Sequence, residues 1–195
     1  LMPDFLVFPA AARSISFEMK ALCSPGNRNR PLHGPASRFI SWHMTTIASV
    51  SSSGSATTYD ETPYPSAAFP QTTPNRLAAM ARLLGVSATD PSKARVLELG
   101  CADGANLLPM AEETPGATFL GLDSSKVQIA TGLEAIAKSG LKNVELRYQD
   151  ILDFPSSEGK FDYIIAHGIF SWVPEAVREK ILTICEEHLT ENGVA

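Results

Sequence analysis

Nowhere in the 195 residues does an apolar run approach the roughly 18–20 positions that a membrane-crossing helix needs. A helical membrane span is therefore excluded, and no membrane partner is expected. Cysteine is scarce: Cys23, Cys101 and Cys185 are far apart, odd in number and without CxxC spacing. That pattern gives neither a disulfide framework nor a metal site, and it predicts a reducing, cytoplasmic setting. Charged residues reach only 19% against 44% hydrophobic ones, the balance of a soluble globular chain and not of a disordered one. The length allows one domain with a sizeable core, or a core with tails. Basic charge is short where the fold is expected. Residues 1–43 carry five Arg/Lys against two Asp/Glu, whereas residues 44–195 carry eleven against nineteen. An acidic folded part lacks the electrostatic footprint of non-specific nucleic-acid binding, so no nucleic-acid partner is expected.

What is present falls into a leader and a patterned region. Residues 1–43 have no periodicity, and Pro3 and Pro9 interrupt their apolar stretch. They are expected to lie outside the functional fold, as sequence translated ahead of a start at Met44; a transit-peptide-like arm is the alternative. Residues 45–58, "TTIASVSSSGSATT", read as a flexible continuation, so that 1–58 form a leader and 59–195 the domain. Residues 59–74 hold four prolines with Tyr59, Tyr64 and Phe69 between them. This is either a strap stapled to the core or a lid over a ligand. A helix is predicted from Pro74, with Thr73 as N-cap and Gly85 as stop. Leu77, Met80, Ala81 and Leu84 would form its core face.

Strands and helices then alternate. Strands are predicted over 95–99, 117–122, 143–149 and 161–167, and helices over 105–113, 125–138 and 174–189. The expected fold class is α/β: a Rossmann-like parallel sheet with helices on both faces. "ENG" (191–193) is read as the stop of the last helix, so the sheet is expected to be truncated after the fourth strand and the following helix. The 195-residue piece would then be inactive alone and aggregation-prone, its fourth strand an uncovered edge.

In open sheets of this kind ligands bind beyond the carboxyl ends of the strands, where strand order reverses. Every distinctive polar residue lies at such an end. "RVLELGCADGAN" (95–106) runs from a strand into Gly100 and Gly104, which allow a tight turn and close approach of backbone. The loop amides and the following helix start would face the ligand. Asp123 ends the second strand about twenty residues on, where a ribose diol is held in nucleotide-binding sheets. Its bland alternative is a helix cap, a job that Ser124 could also do. Asp150 ends the third strand and could accept from an adenine amino group, with Ile151 or Leu152 on the ring face; singly it is a turn residue. Glu98, Asp123 and Asp150 together are a stronger signal than any one of them.

The set resembles the class I S-adenosylmethionine-dependent methyltransferases. "VLELGCADGAN" is similar to their first motif, "FLGLDSS" to their ribose-binding strand, "VELRYQDIL" to their adenine-contacting strand, and "FDYIIAHGIFSWVP" to their fourth strand with its substrate-side loop. Within that family, "YDETPYPSAAFPQTTPNRL" and "HGIFSWVP" resemble a bacterial subgroup with a C-terminal regulatory domain that includes rickettsial protein-lysine methyltransferases. The resemblance implies S-adenosylmethionine as cofactor, held by Glu98, Gly100, Ala102, Gly104, Asp123, Ser124, Asp150 and Ile151. Ala102 replaces a glycine that many members carry, which implies a modest change of geometry and not loss of binding.

Methyl transfer from a sulfonium needs positioning more than acid–base help. His167 is the candidate for a base, against a plain structural role. Tyr64, Phe170 and Trp172 are candidates for the substrate side, as pocket walls or as packing. The partner is a methyl acceptor, protein lysine by the subgroup resemblance or a small molecule as the alternative. A nicotinamide-binding sheet would need G-x-G-x-x-G, and Ala102 breaks that spacing. A nucleic-acid amino-methyltransferase would carry an Asp/Asn-Pro-Pro-aromatic box where "AHGIF" stands. A non-catalytic scaffold that keeps the fold is the third rival.

Overall fold

The computed structural model describes residues 66–195; Tyr59, Tyr64 and the whole leader lie outside the described residues. A helix α1 (Pro74–Leu83) precedes β1 (Arg95–Leu99), α2 (Leu107–Glu113), β2 (Thr118–Asp123), α3 (Lys126–Ser139) and β3 (Val144–Tyr148). Two single-turn 3-10 segments, Ile151–Asp153 and Ser156–Glu158, then lead to β4 (Phe161–Ile165), α4 (Glu175–His188) and β5 (Leu189–Val194). The strands pair in the order β3-β2-β1-β4-β5, every pair parallel. This is the Rossmann-like α/β sheet that the strand–helix alternation predicts.

The apolar strands are continuous because both faces are covered. Alternation along β1 sends Val96 to one side and Leu97 and Leu99 to the other, all three fully buried. Val96, Phe119, Val144 and Tyr163 pack with Leu77 and Ala81 of α1, Leu107 and Met110 of α2, and Ile129 of α3. Leu97, Leu99, Leu120, Leu122 and Ile164 pack with Ile181, Ile184 and Cys185 of α4 and with Phe154. Glu98 shares the face of Val96, so the same alternation that builds the core turns a carboxyl group inward.

The helix ends follow local chemistry. α1 closes as Gly85, at φ 83°, donates to Arg82 O and Val86 to Ala81 O, the paired bonds that satisfy the last carbonyls of a helix. Thr73 precedes α1 in an extended conformation, but its hydroxyl donates to Pro70 O (3.0 Å) and makes no cap bond. α3 is capped by Ser125, whose Oγ accepts from Gln128 N (3.3 Å), and stops at left-handed Gly140.

Two expectations are corrected. "LTENGV" is not a helix stop but β5, which pairs with β4 across a register shift, so the sheet has five strands and β4 is not an edge. As an edge strand, β5 leaves Glu191 and Asn192 in solvent while Leu189 and Val194 are buried, and that polar middle imitates a turn. The core face of α1 is also narrower than its periodicity predicts: Leu77, Ala78 and Ala81 are buried, whereas Met80 is 42% and Leu84 66% exposed.

The amino end of the sheet is a structural lock. Asp162 accepts from Thr89 Oγ1 (3.0 Å), Thr190 Oγ1 (3.1 Å) and Arg95 N (2.9 Å), joining β4 to β5 and β1. Glu158 bridges Arg95 (3.2 Å) and Arg147 (2.8 Å).

Candidate functional site

Strand order reverses between β1 and β4: the chain continues from β1 outward to β2 and β3, then returns across the sheet to β4. The loops after β1 and β4 therefore part here and leave a crevice beyond the carboxyl ends. They come into contact at Gly100. Gly100 has φ 74°, and a Cβ on it would lie 2.8 Å from Ile169 Cγ2, so only glycine fits both the turn and the contact.

The loop is held by its neighbours as well as by its glycines. Gly100 N and Cys101 N both donate to Leu122 O (2.8 and 3.0 Å), and Ala102 N donates to Asp123 Oδ2 (2.8 Å). Gly104 N returns to Cys101 O, and Ala105 N donates to Asp103 Oδ1. The expectation that the loop amides face a ligand is thus corrected: those of residues 100, 101, 102, 104 and 105 are spent inside the protein. Ala102 has φ 50°, the one described non-glycine residue in the left-handed region. Burial pushes the Cys101 thiol far up, so it stays neutral under the loop.

Asp123 is not the cap of α3. Ser125 is the cap, and Asp123 accepts from Ser125 N on Oδ1 (2.8 Å) and from Ala102 N on Oδ2. Each oxygen keeps a further acceptor site. Ser124 stands exposed beside it. At the end of β3, Gln149 N donates to Asp123 O (2.9 Å), and the exposed Asp150 accepts from Leu152 N (2.8 Å). Asp150 therefore does fill the turn position that was its bland alternative, with Ile151 half-buried next to it.

Glu98 is 4% exposed. Its Oε1 accepts from Asn106 Nδ2 (2.7 Å), and its Oε2 is the one buried side-chain polar atom without a partner among the described residues. Burial raises its pKa to about 7, offset in part by the Asn106 bond and reinforced by the charge of Asp123. An unmet buried acceptor costs about 1–3 kcal/mol, which a donor arriving from the crevice would recover. Asn106 also donates to Thr72 Oγ1 (3.0 Å) and accepts from Phe69 N (2.8 Å), fastening the 3-10 turn Pro70–Thr72 to the loop.

Across the crevice, the half-buried His167 ring lies 4.5 Å from the Phe69 ring, and its Nε2 is 3.4 Å from Gln71 Nε2. Phe170 packs on the core under α4, whereas Trp172 is 79% exposed, so the two loop aromatics do different jobs. Asn106, Thr72, Gln71, Phe69 and Ile169 were not singled out from the sequence as site residues. Asn106 carried a signal, as a polar residue closing the glycine motif; the others act through contacts spanning tens of residues.

The site so built is a row of polar residues at or just beyond strand ends: Asp150, Asp123, Glu98 and His167, at the ends of β3, β2, β1 and β4 in that spatial order. At about 4.8 Å per strand the row is about 14 Å long, suited to an elongated ligand with several polar groups. That defines an α/β protein with a nucleotide-type crevice. The methyltransferase-domain family model matches residues 90–195, and the chain belongs to that family. An uncharacterized protein of Rickettsia prowazekii is 45% identical over 160 residues, 78% of this chain and 29% of that one. The trans-aconitate 2-methyltransferase of Deinococcus radiodurans is 32% identical over 117 residues, 60% of this chain and 42% of that one. PKMT2 from Rickettsia typhi, solved in complex with AdoHcy, superposes with a TM-score of 0.65 at 43% identity, over 67% of this chain and 25% of that one. The chain thus spans 25–42% of the lengths of these three.

A left-handed alanine costs about 1–2 kcal/mol more than glycine would, less the extra chain entropy glycine brings to the unfolded state. Ala102→Gly is expected to raise stability by about 0.5–1 kcal/mol. Urea denaturation of both proteins checks this, and an unchanged or lowered midpoint would show that the loop relaxes the strain elsewhere.

Proposed function

We propose that the chain binds S-adenosylmethionine along the row of strand ends and takes part in methyl transfer. The observation that carries this reading is the sequence of acids at the ends of β1, β2 and β3, with Asp123 also bonded to the glycine loop. In this reading the second acceptor sites of Asp123 take the ribose diol, with Ser124 alongside. The Asp150 oxygen not engaged by Leu152 takes the adenine amino group, and Ile151 lies on the ring. Gly100, Ala102 and Gly104 line the amino-acid portion, and the unmet Glu98 Oε2 pairs with its ammonium group. A nicotinamide dinucleotide is disfavoured by the loop's glycine spacing. The reading places the start of the domain near residue 59. Cys101 and Cys185, both buried and free, accord with a reducing cytoplasmic setting.

When bound, S-adenosylmethionine supplies a methyl group on a sulfonium, a good leaving group in an in-line displacement. The protein's part is alignment. Effective molarities on the order of 10⁵–10⁸ M for well-oriented groups correspond to about 7–11 kcal/mol of barrier. The loop after β4 is the acceptor side, with His167 held by Gln71 and Phe69 within it. If the acceptor is an amine, His167 or a water is placed to take its proton. We propose protein lysine as the acceptor, on the resemblance to rickettsial protein-lysine methyltransferases and the likeness to PKMT2. A small carboxylic acid is the second reading, favoured by the likeness to a trans-aconitate 2-methyltransferase. Exposed Trp172 suits a protein acceptor, since a large solvent-facing ring offers area to a macromolecule.

Calorimetric titration with S-adenosylhomocysteine tests the ribose assignment. Two charge-assisted hydrogen bonds at about 1.5–3 kcal/mol each make Asp123→Ala weaken binding by more than about 100-fold. Retained affinity in a folded Asp123→Ala protein would remove Asp123 from the site.

Glu98 gives a pH signature. Its folded pKa of about 7 lies above the ordinary 4.5, so its stabilising contribution is complete below pH 4.5 and is lost as pH rises through 7. An ammonium ligand favours the ionised form. Affinity should therefore fall about tenfold from pH 8 to pH 6, with proton release on binding near pH 6, and Glu98→Gln should flatten both. Buffers of different ionisation enthalpy report the proton count; an equal pH slope in Glu98→Gln would clear Glu98 of the role.

A further inference from the structure

One leucine side chain stands in space that three glycines leave open. A Cβ on Gly104 of the loop would lie 2.8 Å from Leu146 Cδ1, one on Gly121 of β2 2.7 Å from Leu146 Cδ2, and one on Gly132 of α3 2.4 Å from Leu146 Cδ1. Leu146 is 4% exposed and lies in register with Gly121 on the neighbouring strand. At Gly104 a Cβ would also meet Leu108 Cδ1 (2.8 Å) and at Gly121 Cys101 Sγ (2.7 Å), side-chain contacts that can shift; Gly132 is the one of the three whose Cβ would also meet backbone.

Gly132 meets a second atom of a different kind. Its Cβ would lie 2.4 Å from the carbonyl oxygen of Asp103, inside the loop between Ala102 and Gly104. A leucine methyl can swing aside by a rotamer change, but a backbone carbonyl moves only if the loop moves. The bare backbone of α3 thus bears directly on the loop from one side, while Leu146 fills the space beneath Gly104. Hydrogen bonds from Gly100 and Cys101 to Leu122 O and from Ala102 to Asp123 tie the loop to the end of β2.

We propose that Gly132 and Leu146 are positioning residues for the loop: together they set its depth relative to Asp123, and so the spacing between the two halves of the donor site. The proposal rests on the reading that this loop holds the methyl donor. A misplacement of about 1 Å of a group that positions the reactants costs on the order of 100-fold in rate.

Gly132→Ala, Leu146→Ala and the double variant of the full chain separate this from ordinary packing. Two readouts are needed: hydrogen exchange of the Cys101 and Gly104 amides, and calorimetric affinity for S-adenosylhomocysteine. Gly132→Ala should lower the melting temperature, speed loop exchange at least about tenfold and weaken binding at least about tenfold. In the double variant the clash with Leu146 is gone but that with Asp103 O remains, so the melting temperature should recover only in part toward that of Leu146→Ala. Loop exchange and affinity should stay impaired, because the contact with Asp103 O remains. Recovery of all three together would overturn the proposal in favour of simple packing, as would parental loop exchange in Gly132→Ala. Should the parent chain fail to bind the probe, the donor reading falls, and loop exchange still decides the positioning role.

Discussion

The Asp123 carboxylate accepts from the Ala102 amide on one oxygen and from the Ser125 amide on the other. In that single group the end of β2, the turn after β1 and the start of α3 are made one rigid piece. A carboxylate left alone at a strand end would be a mobile, solvated charge. Bonded to two backbone amides it is fixed in place, and its remaining acceptor sites point where the fold dictates. The glycine loop gains as much in return, since a turn carrying an alanine at φ 50° needs an outside hold to stay in that conformation.

From this point the site extends in both directions along the sheet. Toward β3, Gln149 donates to the Asp123 carbonyl and brings Asp150 alongside. Toward β1, the loop returns through Asn106 to Glu98, which the strand's alternation has turned into the covered face. Asn106 then reaches out to Phe69 and Thr72, so the turn before α1 is coupled to the same network. For its described part, this bonding supports the reading of a strap stapled to the core. Residues 69–72 are bonded to the loop and lie against His167, a wall of the crevice that also staples the chain to its core.

Much of this was legible in the sequence. β1 occupies the predicted residues, and Gly140 and Gly85 stop their helices, because apolar runs and left-handed glycines act locally. The acids at the strand ends were legible because each terminates an apolar run. What was not legible depends on partners far along the chain. Nothing near Asn106 announces Thr72 and Phe69, some 34 and 37 residues earlier, or that Gln71 meets His167 across 96 residues. β5 escaped notice because an edge strand can be polar along its middle and still pair through its backbone. Met80 and Leu84 were assigned to the core because periodicity marks the centre of a buried stripe and not its width. The bonding of the loop amides was also hidden, since only the folded position of Asp123 consumes the Ala102 N–H.

The central claim is that the loop, Asp123 and Asp150 select S-adenosylmethionine over a dinucleotide. Calorimetric titration of the full chain with S-adenosylhomocysteine and with NAD decides it most directly. The account predicts saturable one-site binding of the first and none of the second at the same concentrations; preferential binding of NAD would contradict it.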